Sequence, residues 1–178
     1  MIGDSTIADV SYTLLKLLRD KFYDLLAPNS ITLQSPIEGP SLDNGLTLFL
    51  YNTKENSYLK KQVISHIGMG LVQSPPLVLD LYYMLTAYSN HEDFTERALA
   101  EQRILGRAMR VLHEVPIISG PLLQRSLANT NEKLQITLNP ASLTQLTEVW
   151  RLFSNQHYRP SVTYLVTPAT LQSKRAGG

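Results

Sequence analysis

Apolar residues recur every three or four positions at the start of the chain, and this spacing predicts an amphipathic helix. A capping residue among Asp4, Ser5 and Thr6 begins it. Its apolar positions are Ile7, Val10, Leu14, Leu17, Leu18, Phe22 and Leu25. We expect the helix to end at Ala27, because a proline such as Pro28 forces the preceding residue out of the helical region.

Alternation of apolar and polar residues then predicts a series of strands. ITLQSP (31–36) is a short one, and GLTLFLYNTKEN (45–56) has two usable faces. LVLDLYYMLTAYS (77–89) is apolar on both faces, which is typical of a central strand. KLQITLNP (133–140) and SVTYLVTP (161–168) complete the set. Between them, residues 53–76 are the least regular part of the chain, and we interpret them as a long surface loop.

Two more helices are predicted from capping and periodicity. One runs from Phe94 to Val115 and is stopped by Pro116, and residues 117–132 follow as a turn with at most one short helix. Ser142 and Gln145 make a capping box for the other, which carries an apolar side. The members of that side are Leu143, Leu146, Val149, Trp150 and Phe153.

The order of these elements predicts the fold class. Helix, two or three strands, helix, strand, helix and strand indicate an α+β, or mixed α/β, domain with one mixed β-sheet and packed helices. We expect a single domain over residues 4–170, followed by a flexible C-terminal tail over 171–178.

Composition narrows the function classes. The chain has 178 residues, of which 43% are hydrophobic and 17% charged, as in globular proteins. Its 16 basic and 15 acidic residues leave a net charge of +1, which argues against a dedicated nucleic-acid binder. It has no cysteine, so disulfides, thiolate zinc sites and thiol nucleophiles are excluded. Neither a secretory signal nor a membrane span is predicted, and we expect a cytoplasmic protein.

Motifs that carry chemistry are missing from the sequence. There is no nucleophile elbow, phosphate-binding loop, dinucleotide fingerprint or HExxH zinc motif. His113 and Glu114 resemble half of a zinc motif, but the place of the second histidine is taken by Ile117. Asp80 interrupts an apolar strand, and we interpret it as a hydrogen-bonded structural carboxylate. We therefore assign no catalytic, cofactor-binding or metal-binding residue.

The helix from Phe94 carries a stripe of arginines on one side. At 100° per residue, Arg103, Arg107 and Arg110 fall close together, while the apolar residues occupy the other side. Two interpretations stay open: a solvated face with pairs such as Arg97 with Glu101, or a protein interface, where arginine is favoured. Phosphate binding is disfavoured by the low net charge. We predict that the stripe is an exposed protein-contact face.

Several long blocks of the sequence resemble a known family when they are taken in order. They are IADVSYTLLKLLRDKF, PLVLDLYYMLTAYS, RILGRAMRVLHEVPIISGPLLQ, LQITLNPASLTQLTEVWRLF and YRPSVTYLVTP, which together span most of the chain. The family is that of the tail terminator or cap proteins of extracellular contractile injection systems, of the antifeeding-prophage and virulence-cassette type. Members often have a longer C-terminal part than this chain.

The resemblance implies a structural protein that assembles into a tail-like particle. Such caps form a hexameric ring at the end distal to the baseplate, where they end the inner tube and the sheath and join the two. The implied partners are further copies of the chain, the tail sheath protein and the inner tube protein, with no cofactor, nucleic acid or membrane span. No specific site residue carries over, because the contacts of the family are surfaces.

Two other functions remain as alternatives. One is a small cytoplasmic enzyme with a dispersed site built from Asp80, His113 and Arg107. The other is a nucleic-acid accessory protein that uses Lys60, Lys61 and the arginine stripe. For the cap, the strand from Ser161 to Thr167 is predicted to lie at a sheet edge and to pair with a neighbouring chain through the region of Tyr164.

Overall fold

A mixed six-stranded sheet organises the protein in the computed structural model, which describes residues 3–36, 44–60, 76–154 and 157–172. The strands lie in the order β1-β2-β3-β6-β5-β4. Their bounds are Ile31–Thr32 (β1), Asn44–Glu55 (β2), Leu77–Ser89 (β3), Ile117–Ser119 (β4), Lys133–Leu138 (β5) and Ser161–Leu171 (β6). The longer helices are Thr6–Lys21 (α1), Phe94–Glu114 (α2) and Leu143–Trp150 (α3).

All neighbouring strands in the described part of the chain are antiparallel except β1 and β2. β1 runs parallel to β2 and pairs with it only at Leu46 and Thr47. β2, β3, β6, β5 and β4 then form successive antiparallel pairs. The mixed sheet and the α/β class predicted from the element order are therefore confirmed.

The helices pack on both faces of this sheet. α1 and α2 cover one face and form the main core with β2, β3, β5 and β6, where Leu14, Tyr83 and Ile104 are almost fully buried. On the other face the short helix α3 buries Leu146 and Trp150 against Met84 of β3. The capping box of Ser142 and Gln145 begins α3, as predicted. The predicted core position of Trp150 is also confirmed.

Helix α1 is shorter than the spacing of its apolar residues predicts. It ends at Lys21, with Phe22 as the C-cap, and not at Ala27. Beyond it, Leu26 is buried while Leu25 is 39% exposed, so the helical phase does not continue through Leu25. The chain instead turns here, because the N–H groups of Leu25 and Leu26 both donate to the Phe22 carbonyl. The side chains of Phe22 and Leu26 are buried and hold this turn against the core.

The predicted edge position of Ser161 to Thr167 is wrong. β6 lies inside the sheet, where Tyr164 pairs with Tyr83 of β3 on one side and Leu138 of β5 on the other. The strand also continues past Thr167 to Leu171. Pro168 is tolerated because the pairing with β3 shifts register around it, so no ladder hydrogen bond needs its missing N–H.

Smaller corrections concern the connections. Residues 117–119, expected as part of a turn, form β4, and two short 3-10 helices follow at Gly120–Leu122 and Arg125–Leu127. In the predicted 53–76 loop, residues 53–55 belong to β2 and residues 57–60 are helical. Residues 61–75 of that loop and residues 173–178 of the expected tail lie outside the described residues.

Candidate interaction surfaces

Arg107, at the centre of the predicted stripe, is committed to a contact within the chain. Its two terminal nitrogens donate to the two carboxylate oxygens of Asp24, at 2.8 and 3.1 Å. It also donates to the carbonyl of Lys21 and stands over the ring of Phe22, 6.0 Å from the ring centre. A bidentate ion pair of this kind requires that the planar guanidinium and carboxylate groups lie side by side. Arg107 therefore fastens α2 to the end of α1.

This pairing changes the ionisation of both partners. The hydrogen bonds from Arg107 lower the pKa of Asp24 below its ordinary value of 3.8. In return, the hydrogen bond to Asp24 raises the pKa of Arg107. Arg107 is therefore less exposed than the predicted contact stripe requires, and its charge is matched within the chain, while its role in a protein contact stays a prediction.

Arg103 and Arg110 remain directed toward solvent. Both are exposed, and Arg103 has no ion pair among the described residues. Arg110 makes a loose pair with Glu114, at 3.8 Å between Nε and Oε1. Near them a side chain placed on Gly106 would meet no atom within 4 Å, so this part of the helix surface is open. The contact role of Arg103 and Arg110 stays a prediction.

Tyr164 and Arg110 lie on one groove between α2 and the sheet. The groove has a volume of about 420 Å³ and is mostly apolar in its lining. The lining residues are Met109, Arg110, Leu112, His113, Pro116, Ile136, Leu138 and Tyr164. The structure therefore brings together two of the four residues proposed from the sequence for protein contact.

The free strand edges are on β2 and at the end of β5. β1 covers β2 only at Leu46 and Thr47, so residues 48–55 have no partner strand on their outer side within the described ranges. β4 covers β5 only from Lys133 to Gln135, and the carbonyl of Pro116 accepts a hydrogen bond from the N–H of Ile136. Thr137 and Leu138 have no strand beyond them in the described part of the chain.

A second, more polar groove lies on the face of the sheet that α3 covers. Its volume is about 460 Å³, and it opens between α3 and strands β2 and β3. Tyr51 and Tyr82 meet edge to face there, and the Lys54 ammonium stands 5.3 Å from the Tyr82 ring centre. Burial raises the pKa of Tyr82. No cluster of titratable side chains that could hold a metal occurs among the described residues.

The residues named for an enzyme lie apart. Asp80 accepts hydrogen bonds from Thr167, at 2.6 Å, and from Asn56, at 2.9 Å, where the pairing of β3 and β6 shifts register. This confirms its structural interpretation. Its neighbours Leu79 and Leu81 face the core under α1 and α2, so Asp80 faces the opposite side of the sheet from Arg107 and His113. His113 is an exposed residue in the last turn of α2.

One protein-family model matches most of the chain. The model of the Pvc16 N-terminal domain matches residues 9–177. The chain belongs to the Pvc16 N-terminal domain family. No curated protein gave a match. None of the described helices is both long and apolar enough to cross a bilayer.

Two solved structures share the fold of this Pvc16 N-terminal domain. One is the cryo-EM structure of a PVC sheath/tube terminator in the extended state, from an extracellular contractile injection system, with a TM-score of 0.60 and 16% identity. The match covers 95% of this chain and 57% of that one. The other is the tube-terminating cap of the anti-feeding prophage, with a TM-score of 0.59 and 15% identity over 96% of this chain and 56% of the other. This chain spans a little over half the length of both.

Some contacts of this Pvc16 N-terminal domain were not found from the sequence. Asp24 sits 83 residues from Arg107, and nothing in the local pattern of the first helix indicates its partner. The expected Arg97–Glu101 pair does not form, because Arg97 donates to the carbonyl of His91 and Glu101 pairs with Arg159. Leu138 escaped notice, although an apolar residue just before Asn-Pro at a strand end is a usable signal.

Proposed function

We propose that this chain is the terminator that caps the tail of a contractile injection particle. The observation that carries the proposal is the match of the Pvc16 N-terminal domain model to residues 9–177. The likeness of the fold to a sheath/tube terminator and to a tube-terminating cap, over at least 95% of the chain, supports it. The role is structural and not catalytic.

In the proposed arrangement, copies of the chain form a hexameric ring that ends the inner tube and the sheath and joins them. The particle assembles in the cytoplasm. A ring of identical subunits needs two different surfaces on each copy, because each subunit meets its neighbours head to tail. The open edge of β2 and the groove beside α2 lie at opposite ends of the sheet order and supply two such surfaces. Arg103 offers a further exposed contact.

The alternatives find no support in the structure. Asp80 is separated from Arg107 and His113 by the sheet, and each of the first two is already hydrogen-bonded to a structural partner. Of the basic residues named for nucleic acid, Lys60 pairs with Glu55 at 2.9 Å, and Lys61 lies outside the described residues. Arg107 is neutralised by Asp24. Neither an enzyme nor a nucleic-acid accessory protein is therefore proposed.

Electron microscopy of particles from cells with and without this chain tests the proposal. Without it, we expect tubes and sheaths of irregular length, or few stable particles, and the normal ends should return when the gene is restored. Particles of uniform length with an intact distal end in its absence would contradict a terminator role.

A further inference from the structure

Tyr164 is a buried phenol that lines the groove between α2 and the end of β5. The residue is only 5% exposed, yet its hydroxyl has no hydrogen bond with any described residue. Burial raises the pKa of this phenol, so it stays protonated and can donate.

The strand edge beside Tyr164 offers unused backbone groups. The N–H of Asn139 bonds to Thr163, so in antiparallel alternation the N–H and C=O of Leu138 point away from β6. No described residue bonds to them. Ile136 is the preceding residue whose backbone groups point away from β6, and its N–H donates to the carbonyl of Pro116. The carbonyl of Ile136 receives no hydrogen bond from Pro116, because proline has no N–H. An extended chain laid against this edge would find free donors and acceptors.

The groove presents both apolar walls and a positive charge to a ligand. Its walls come from Met109, Leu112 and Leu138, and Leu138 is 48% exposed. Arg110 lies on the rim, where its side chain is 61% exposed and, within the described part of the chain, pairs loosely with Glu114. The rim thus supplies one guanidinium and the floor one phenol donor. These donors match a carboxylate, while the walls match an apolar side chain.

From these observations we infer that the groove beside α2 is a docking site for an extended polypeptide segment that carries an acidic side chain next to apolar residues. The segment continues the sheet at Leu138, places its apolar side chains on Met109 and Leu112, and gives its carboxylate to Tyr164 and Arg110. Strand addition of this kind draws affinity from the backbone and specificity from side-chain pockets. The inference concerns the free chain and stands whether or not that chain caps a tail.

The isolated chain and a display library of random short linear peptides test this directly. Enriched peptides are measured by fluorescence anisotropy against the wild type and three variants. Tyr164→Phe keeps the ring in the core and removes only the hydroxyl, which bonds to none of the described residues, so it should melt like the wild type. Arg110→Glu reverses the rim charge. Arg103→Glu is the matched control, because it makes the same change on the same helix outside the groove.

We expect enriched peptides to combine an acidic residue with flanking apolar residues. Loss of a hydrogen bond to a charged group should weaken their binding about tenfold in Tyr164→Phe and at least as much in Arg110→Glu. Arg103→Glu should bind as the wild type does. The inference is overturned if no peptide is enriched, if the enriched peptides lack an acidic residue, or if they bind Tyr164→Phe and Arg110→Glu with wild-type affinity.

Discussion

At the scale of single residues, three arginines that look equivalent in the sequence have different environments. The 100° rotation per residue correctly places Arg103, Arg107 and Arg110 on the side of α2 away from its apolar residues. Periodicity gives the direction of a side chain around its own helix, but not what stands opposite. Arg107 meets Asp24 because the end of α1 passes there, and that is a property of the tertiary packing.

The Arg107–Asp24 contact predicts a pH dependence of stability. The pKa of Asp24 in the fold lies below 3.8, so its carboxylate stabilises the fold above that pH, and the contribution is lost as the pH falls through the lowered value. Asp24→Asn should therefore melt below the wild type near neutral pH, and the two melting temperatures should converge in acid. Thermal melting at a series of pH values measures this.

The control for this experiment removes the other partner. In an Arg107→Met background, replacing Asp24 by Asn should no longer change the shape of the pH profile, because the interaction that shifts the pKa is gone. Parallel profiles for the wild type and Asp24→Asn down to the lowest pH would show that the pair contributes nothing to the pH dependence.

At the scale of elements, local patterns predict where strands and helices lie along the sequence better than they predict which elements are neighbours in space. The bounds of β2, β3, β5 and α2 agree with the sequence to within about two residues. The position of β6 within the sheet does not follow from these local patterns. A usable signal was present in the sequence, because residues 161–171 contain no charged side chain, as is typical of an inner strand. In the structure each of them is buried or half-buried.

The opposite signal marks β2 as the edge. Its second half contains Asn52, Thr53, Lys54 and Glu55, all exposed, and charged residues are what natural edge strands carry. Order in a sheet depends on contacts between distant segments, such as Tyr164 with Tyr83 and Leu138, which no local window contains.

Proline substitutions at the edge of β2 should separate an effect on folding from an effect on assembly. The N–H of Asn56 bonds to Val78, so by alternation Lys54 faces β3 with its N–H and Thr53 faces outward. Thr53→Pro should therefore fold with little change in melting temperature but fail to pair with a neighbouring strand. Lys54→Pro is the matched control, which removes a ladder hydrogen bond and should cost about 1–3 kcal/mol of stability.

Melting of the purified variants and their occupancy on tails give the two readouts. If Thr53→Pro melts normally and still appears on tails as often as the wild type, the outer side of β2 is not an assembly surface.

At the scale of the whole molecule, the sequence indicated the family through several blocks in a fixed order, although identity to the solved terminators is only 15–16%. The alternation of helices and strands was enough for the fold class. The surfaces were not predictable in the same way, because they arise where separate elements meet. The groove beside α2 is made from α2, β5 and β6, which are distant in the sequence.

A pair of charge reversals on α2 tests how folding and assembly divide this surface. Arg107→Glu places a carboxylate beside Asp24 and removes the contact that fastens α2 to α1, so it should lower the melting temperature of the isolated chain.

Arg103→Glu breaks no ion pair of the described structure and should change stability by no more than about 0.5 kcal/mol. At an acidic partner surface it would weaken association through like-charge repulsion. We therefore expect a normal melting temperature and reduced occupancy on tails for Arg103→Glu, measured by calorimetry and by quantifying the chain in purified particles. Wild-type occupancy for Arg103→Glu would show that this side of α2 is solvated in the assembled tail, and unchanged melting for Arg107→Glu would show that its pair with Asp24 is not needed for the fold.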